Sequence, residues 1–145
     1  MKRIIYIILC TVLAISCSKD TSPENMSESS IKQKLIGKTW QLIKEIDYSV
    51  DGKVLDTEKP SDKDFVYEEW EFLDNEHVRC YTQYDPNDDY EIYLNYFIRE
   101  GNLIIGVAPL KIKKLTNSDL ILETQHDTDV ESWECSYSEL YYRKK

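Results

Sequence analysis

From residue 38 onward the chain keeps a period of two. The clearest run is Tyr90, Ile92, Leu94, Tyr96 and Ile98, each separated by a polar or aromatic neighbour. Successive side chains leave a strand on opposite faces, so this period belongs to strands with one face against a core. Between such runs stand Asp51-Gly52, Asp74-Asn75, Glu100-Gly101-Asn102 and Asn117-Ser118, residue types that take tight turns. The pattern predicts eight strands, over 39–50, 66–73, 76–83, 90–98, 103–107, 110–115, 120–125 and 132–142. Residues 53–64 are polar and read as a lid or irregular loop, with Val54-Leu55 open to pairing.

Eight strands joined by short connections make an all-β domain. A closed up-and-down barrel removes every exposed edge, whereas a two-sheet sandwich leaves edges to be protected. The absence of long crossovers favours the meander, hence a small eight-stranded antiparallel barrel. A short helix precedes it over 31–36. Ser30 can cap it, Ile31 and Leu35 share a face, and Gly37 supplies the stop.

The N-terminus has another character. Lys2 and Arg3 precede a run from Ile4 to Ile15 that is apolar apart from Thr11. Such a run, about 12 residues against the roughly 20 of a spanning helix, reads as a secretory signal. Leu13-Ala14-Ile15-Ser16-Cys17 resembles a bacterial lipobox. That resemblance implies cleavage before Cys17 and acylation, palmitate included, of the new first residue. More than one acyl chain is needed for stable anchoring. The expected organisation is therefore a signal peptide over 1–16, a flexible tether over 17–30 and a folded domain over 31–145. Ser18-Lys19-Asp20 also resembles the short charged signal that exports Bacteroidetes lipoproteins to the outer cell surface. The expected location is the outer membrane, with a periplasmic or a surface-facing orientation left open.

Charge narrows the partners. The chain carries 18 basic and 27 acidic residues, and loss of Lys2 and Arg3 takes the net charge from −9 to about −11. A nucleic-acid binder needs a basic surface to displace counterions, so nucleic acid is not an expected partner.

Four further stretches bear on family. Leu-Ile-Gly-Lys-Thr-Trp at 35–40, Gly-Asn-Leu-Ile-Ile at 101–105, Lys-Leu-Thr-Asn-Ser-Asp-Leu-Ile-Leu-Glu at 114–123 and Leu-Tyr-Tyr-Arg at 140–143 follow in order along the chain. Together they resemble the small lipocalin-like domains of Bacteroidetes lipoproteins. The resemblance implies that Trp40 marks the first strand and that Arg143 packs over its indole to close one end of the barrel.

Candidate chemistry is sparse. Once Cys17 is acylated, Cys80 and Cys135 remain as a possible disulfide or as two separate thiols. His77 and Cys80 stand three apart, a spacing that puts strand residues on opposite faces and gives no metal site. The 85–89 loop lacks the glycine and distal glutamate of a calcium loop. Glu68, Glu69, Glu71 and Glu91 form no motif beyond what 27 acidic residues produce by chance. No glycine-flanked serine or phosphate-cradling loop occurs, so the chain is not expected to be an enzyme and no cofactor is expected.

The aromatic residues are the remaining signal. Trp70, Phe72, Tyr96 and Trp133 are the expected lining of a ligand site inside the barrel. The functional expectation is a monomeric, membrane-anchored lipoprotein binding a small, partly hydrophobic ligand. The alternative is a protein-interaction module with a filled barrel, an envelope inhibitor or accessory subunit acting through loops 53–64, 84–89 and 126–130.

Overall fold

The structure, a computed structural model, describes residues 23–60, 69–85 and 88–145, with the backbone alone at 24, 82–85 and 88–90. A 3-10 turn at Pro23–Asn25 leads into helix α1, Glu28–Leu35. The helix starts earlier than the sequence spacing predicts. Ser27, not Ser30, is its cap, accepting from the Ser30 N–H. Ile31 and Leu35 are buried on one face as expected. Gly37 ends the helix at φ +67°, and its N–H donates to the Phe72 carbonyl at 2.9 Å. A left-handed residue there favours glycine.

Nine strands follow among the described residues: β1 Thr39–Tyr48, β2 Val54–Glu58, β3 Glu69–Phe72, β4 His77–Asp85, β5 Asp88–Arg99, β6 Asn102–Ile105, β7 Ala108–Leu115, β8 Asp119–Glu123 and β9 Tyr137–Lys144. All neighbours are antiparallel, and β3 to β9 succeed one another in chain order. β1 pairs with β9 along one edge and with the short β3 on the other, so eight strands close in a ring. The ninth, β2, lies in the stretch read as loop. The Asp51-Gly52 turn folds it back along the upper half of β1, where Glu45 opposes Glu58.

Among the described residues helix α1 covers one end of the ring, the closed end, and no helix covers the other, the open end. Lys32 Nζ donates to the Asn75 carbonyl at 2.8 Å, and Lys34 Nζ to that of Leu115 at 3.3 Å. The inward side chains of all eight ring strands form one core with Ile31 and Leu35. At the open end, the β8–β9 loop is tied to β1 by the Ser136 N–H donating to the Tyr48 carbonyl at 2.7 Å.

Four register shifts interrupt the pairings among the described residues, one between β1 and β2, one between β4 and β5, and two bulges, in β1 and β7, that bear on the site. In β1, Leu42 opposes Tyr142 and Lys44 opposes Tyr141, which leaves Ile43 as an extra residue. In β7, Ile112 opposes Leu122 and Lys114 opposes Ile121, which leaves Lys113 extra. A bulge re-aims every side chain beyond it. In β1 it turns Glu45 and Asp47 to the inner face, opposite Leu140 and Ser138. Strict alternation would have put Lys44, Ile46 and Tyr48 there.

Candidate functional site inside the barrel

The inner face is apolar near α1 and becomes polar toward the open end. At the closed end Phe72 and Tyr96 meet edge to face, 4.9 Å between centroids. The Tyr96 hydroxyl donates to the Asp74 carbonyl at 2.7 Å, and the Lys32 ammonium lies 5.8 Å from its ring centre. Burial, with the nearby Asp74 charge, pushes the Tyr96 phenol up to about 12.

One layer higher, Trp70 stacks on Tyr142 at 4.6 Å, and Trp40 opposes Trp70 across the β1–β3 pair. The indole N–H groups of both tryptophans are buried without an acceptor. Such a group costs about 1–3 kcal/mol of lost hydration. Cys80 opposes Trp70 from β4, and burial pushes its thiol up to about 12. The Tyr142 phenol is held well above its usual range, chiefly by burial and then by Cys80 and Glu45. These side chains thus converge on one level of the barrel.

Above them the bulge supplies the polar groups. The Ser138 hydroxyl donates to Asp47 at 2.6 Å, and the Cys135 sulfur lies 3.7 Å from the same hydroxyl. Ile92, Leu94 and Leu140 are half-buried against the core. The arrangement offers apolar and aromatic surface below, with carboxylate and hydroxyl groups at the open end.

The predicted lining residues divide. Trp70, Phe72 and Tyr96 face inward and are buried. Trp133 does not join them. It is 72 % exposed, because the last strand begins at Tyr137 rather than 132 and Trp133 sits in a turn closed by the Glu134 N–H donating to the Glu131 carbonyl at 2.9 Å. Trp40 is fully buried at the start of β1. Arg143 does not pack over it. Arg143 opposes Gln41, one position from Trp40 and therefore on the outer face, and the ammonium 5.8 Å from the Trp40 ring is that of Lys38. Cys80 and Cys135 are separate free thiols, one in the core and one in the exposed loop. His77 and Cys80 lie on opposite faces of β4, with His77 2.8 Å from Asp74. Of the acidic residues considered for chemistry, Glu71 and Glu91 flank Arg79 and Glu69 meets Lys145 at 2.8 Å, all on the outer face. Glu68 and Cys17 lie outside the described residues, as do the side chains of the 85–89 loop.

No family model matches this chain, and no curated protein does. Among solved structures, it is similar to a lipocalin-like protein from Bacteroides uniformis, with a TM-score of 0.51 and 17% identity. The match covers 77% of this chain and 99% of that one. The fold is lipocalin-like. The ring order, the β1–β9 closure and the helix over one end are the features that this lipocalin-like architecture contributes to a site. The inward Glu45, Asp47, Ser138 and Tyr142 were missed in the sequence. Only a bulge between Leu42 and Lys44 reveals the first two, and no local signal marks one.

Proposed function

We propose that this lipocalin-like domain binds a small, partly hydrophobic ligand in the open half of its barrel and carries out no catalysis. One observation carries the reading: the buried Trp70–Tyr142 stack lies beneath the inward Asp47 carboxylate and Ser138 hydroxyl. A ligand with an apolar body and a polar group suits that sequence of surfaces. Titration of the full chain with 1-aminoanthracene, followed by tryptophan emission, tests it. Saturable quenching that weakens in Trp70→Phe is expected, and a linear response with no saturation would sink the reading.

Anchoring belongs to the same proposal. Acylated Cys17 holds the domain on the outer membrane. Pro23 lies six residues beyond Cys17, a reach of about 20 Å when extended. It precedes α1, so the anchor joins the domain on the side of the closed end. A Cys17→Ser variant loses its acyl label and its membrane fraction. Retention in the membrane fraction would refute the anchor.

A second reading has its own support. Val107 is 96 % exposed and Trp133 72 %, and both stand on loops at the open end. Exposed large apolar residues at loop tips suit protein contacts. Crosslinking in native membranes, with and without Trp133→Ser, separates this interaction module from the ligand-binding reading.

A further inference from the structure

The outer face of β1, β9, β8 and β7 carries a groove of about 250 Å³, lined by Ile43, Lys44, Lys114, Ile121, Tyr141 and Arg143, with Asp119 beside them. The two bulges build it. Ile43 and Lys44 both point outward because of the first, and Lys113 and Lys114 because of the second. The strands between them, β8 and β9, form the floor. Ile121 and the Tyr141 ring supply its apolar surface, and Ile43 is 40 % exposed beside them.

Three cations surround this floor. The Lys44 ammonium lies 4.4 Å from the centre of the Tyr141 ring. Lys114 meets Asp119 at 3.3 Å, and Arg143 Nε stands 3.9 Å from the same carboxylate. That last separation exceeds hydrogen-bond length, so the guanidinium keeps its donors for another acceptor. The lining sets three cations against one carboxylate on a chain whose net charge is −9, and the next carboxylate, Glu139, is held by the Tyr141 hydroxyl at 2.7 Å and by Lys113. Local potential, not net charge, guides a small ion into a groove. Asp119 is held below the usual carboxylate range: burial opposes this, but Lys114, Ser118 and Arg143 outweigh it. It therefore stays charged and holds Lys114 at the rim of the groove.

We infer that this groove is a second binding site, distinct from the barrel interior, for a small organic anion with a flat apolar body and a carboxylate, phosphate or sulfonate head. The head lies between Arg143, Lys114 and Lys44. The body rests on Ile43, Ile121 and Tyr141. A planar anionic group accepts from a guanidinium in two parallel bonds, which adds direction to the charge.

The test is a titration of the full chain with 1-naphthyl phosphate, followed by amide NMR shifts. Saturable shifts at Ile43, Ile121 and Tyr141 are expected, with the inner Ile92 and Leu94 unmoved. The double variant Lys114→Gln/Arg143→Gln should bind about tenfold more weakly or worse. Lys111→Gln, an outer-face control beyond the groove, should bind as the parent does. Both exposed positions tolerate substitution, and an unchanged urea midpoint checks this. Vesicles of phosphatidylglycerol and of phosphatidylcholine form the second arm. Preference for phosphatidylglycerol over phosphatidylcholine vesicles without saturable binding of the soluble phosphate overturns the inference, because it marks an undirected basic surface. Equal binding by the double variant, or shifts confined to the barrel interior, overturns it as well. The 1-aminoanthracene response of the interior is read separately, so the two sites fail independently.

Discussion

Glu123 is only 8 % exposed, yet its surroundings keep it ionised. Burial by itself would raise its carboxyl pKa. The Lys113 ammonium donates to it at 2.7 Å and His126 Nε2 lies at 3.2 Å, and together they hold it below the usual carboxylate range. The unfolded chain, with an ordinary pKa of about 4.3, binds this proton first. Its contribution is therefore complete above about pH 4.3 and is lost as pH falls through the lower folded value. Urea midpoints measured from pH 7 to pH 3 should fall across that window. Glu123→Gln should flatten the fall and lower stability at pH 7 by about 1–3 kcal/mol. An identical slope in the variant would assign the acid limb to other carboxylates. The two tryptophans present the opposite case, a buried polar group with no partner. Trp70→Phe deletes an unpaired donor and keeps most of the apolar ring, so it should change stability by less than about 1.5 kcal/mol. Trp40→Ala should cost about 3–5 kcal/mol. Both are read from denaturant curves in the absence of ligand.

At the scale of the strand, the bulge at Ile43 decides which half of β1 faces the core. Removing a bulge residue restores alternation without turning the rest of the strand over, whereas removing a regular residue inverts one side of the cut. Deletion of Ile43 should therefore leave a folded barrel with Glu45 and Asp47 still inward. Deletion of Gln41 should turn Trp40 to solvent and abolish cooperative unfolding. Near-ultraviolet circular dichroism distinguishes the two, since only a packed core holds Trp40, Trp70 and Tyr142 in fixed asymmetric surroundings. The outer face depends on the same device. Lys113 bridges Glu123 and Glu139, and Glu139 accepts from Tyr48 at 3.1 Å and Tyr141 at 2.7 Å. That network exists because the β7 bulge turns Lys113 and Lys114 to the same side.

For the whole molecule, closure is the central fact. β9 supplies partners to β1 and β8 at once and carries Tyr142 into the centre of the core. A chain truncated before Ser138 would expose two edges and lose the ring that stacks on Trp70. It should show no cooperative transition in urea and should associate through its free edges, as light scattering would register. A truncated chain that remained monomeric with a sharp transition would mean that the sheet does not need its closure. The core joins all ring strands to α1, so unfolding is expected to be a single step.

The eight ring strands, the turns and the inward Trp70, Phe72 and Tyr96 were legible in the sequence, because a half-buried sheet imposes a period of two and tight turns demand particular residues. The fold class followed from short connections alone. Local pattern stops at the point where pairing becomes long-range. Val54–Glu58 reads as loop, since its strand character comes from the edge of β1 and not from its own side chains. Trp133 lies outside the barrel and Lys38, not Arg143, covers Trp40, because strand starts and register are fixed between strands. The bulges at Ile43 and Lys113 carry the largest consequence. Each sets one extra residue against a partner strand far away in the chain, so only the tertiary pairing could turn Glu45 and Asp47 inward and gather three cations on the outer face.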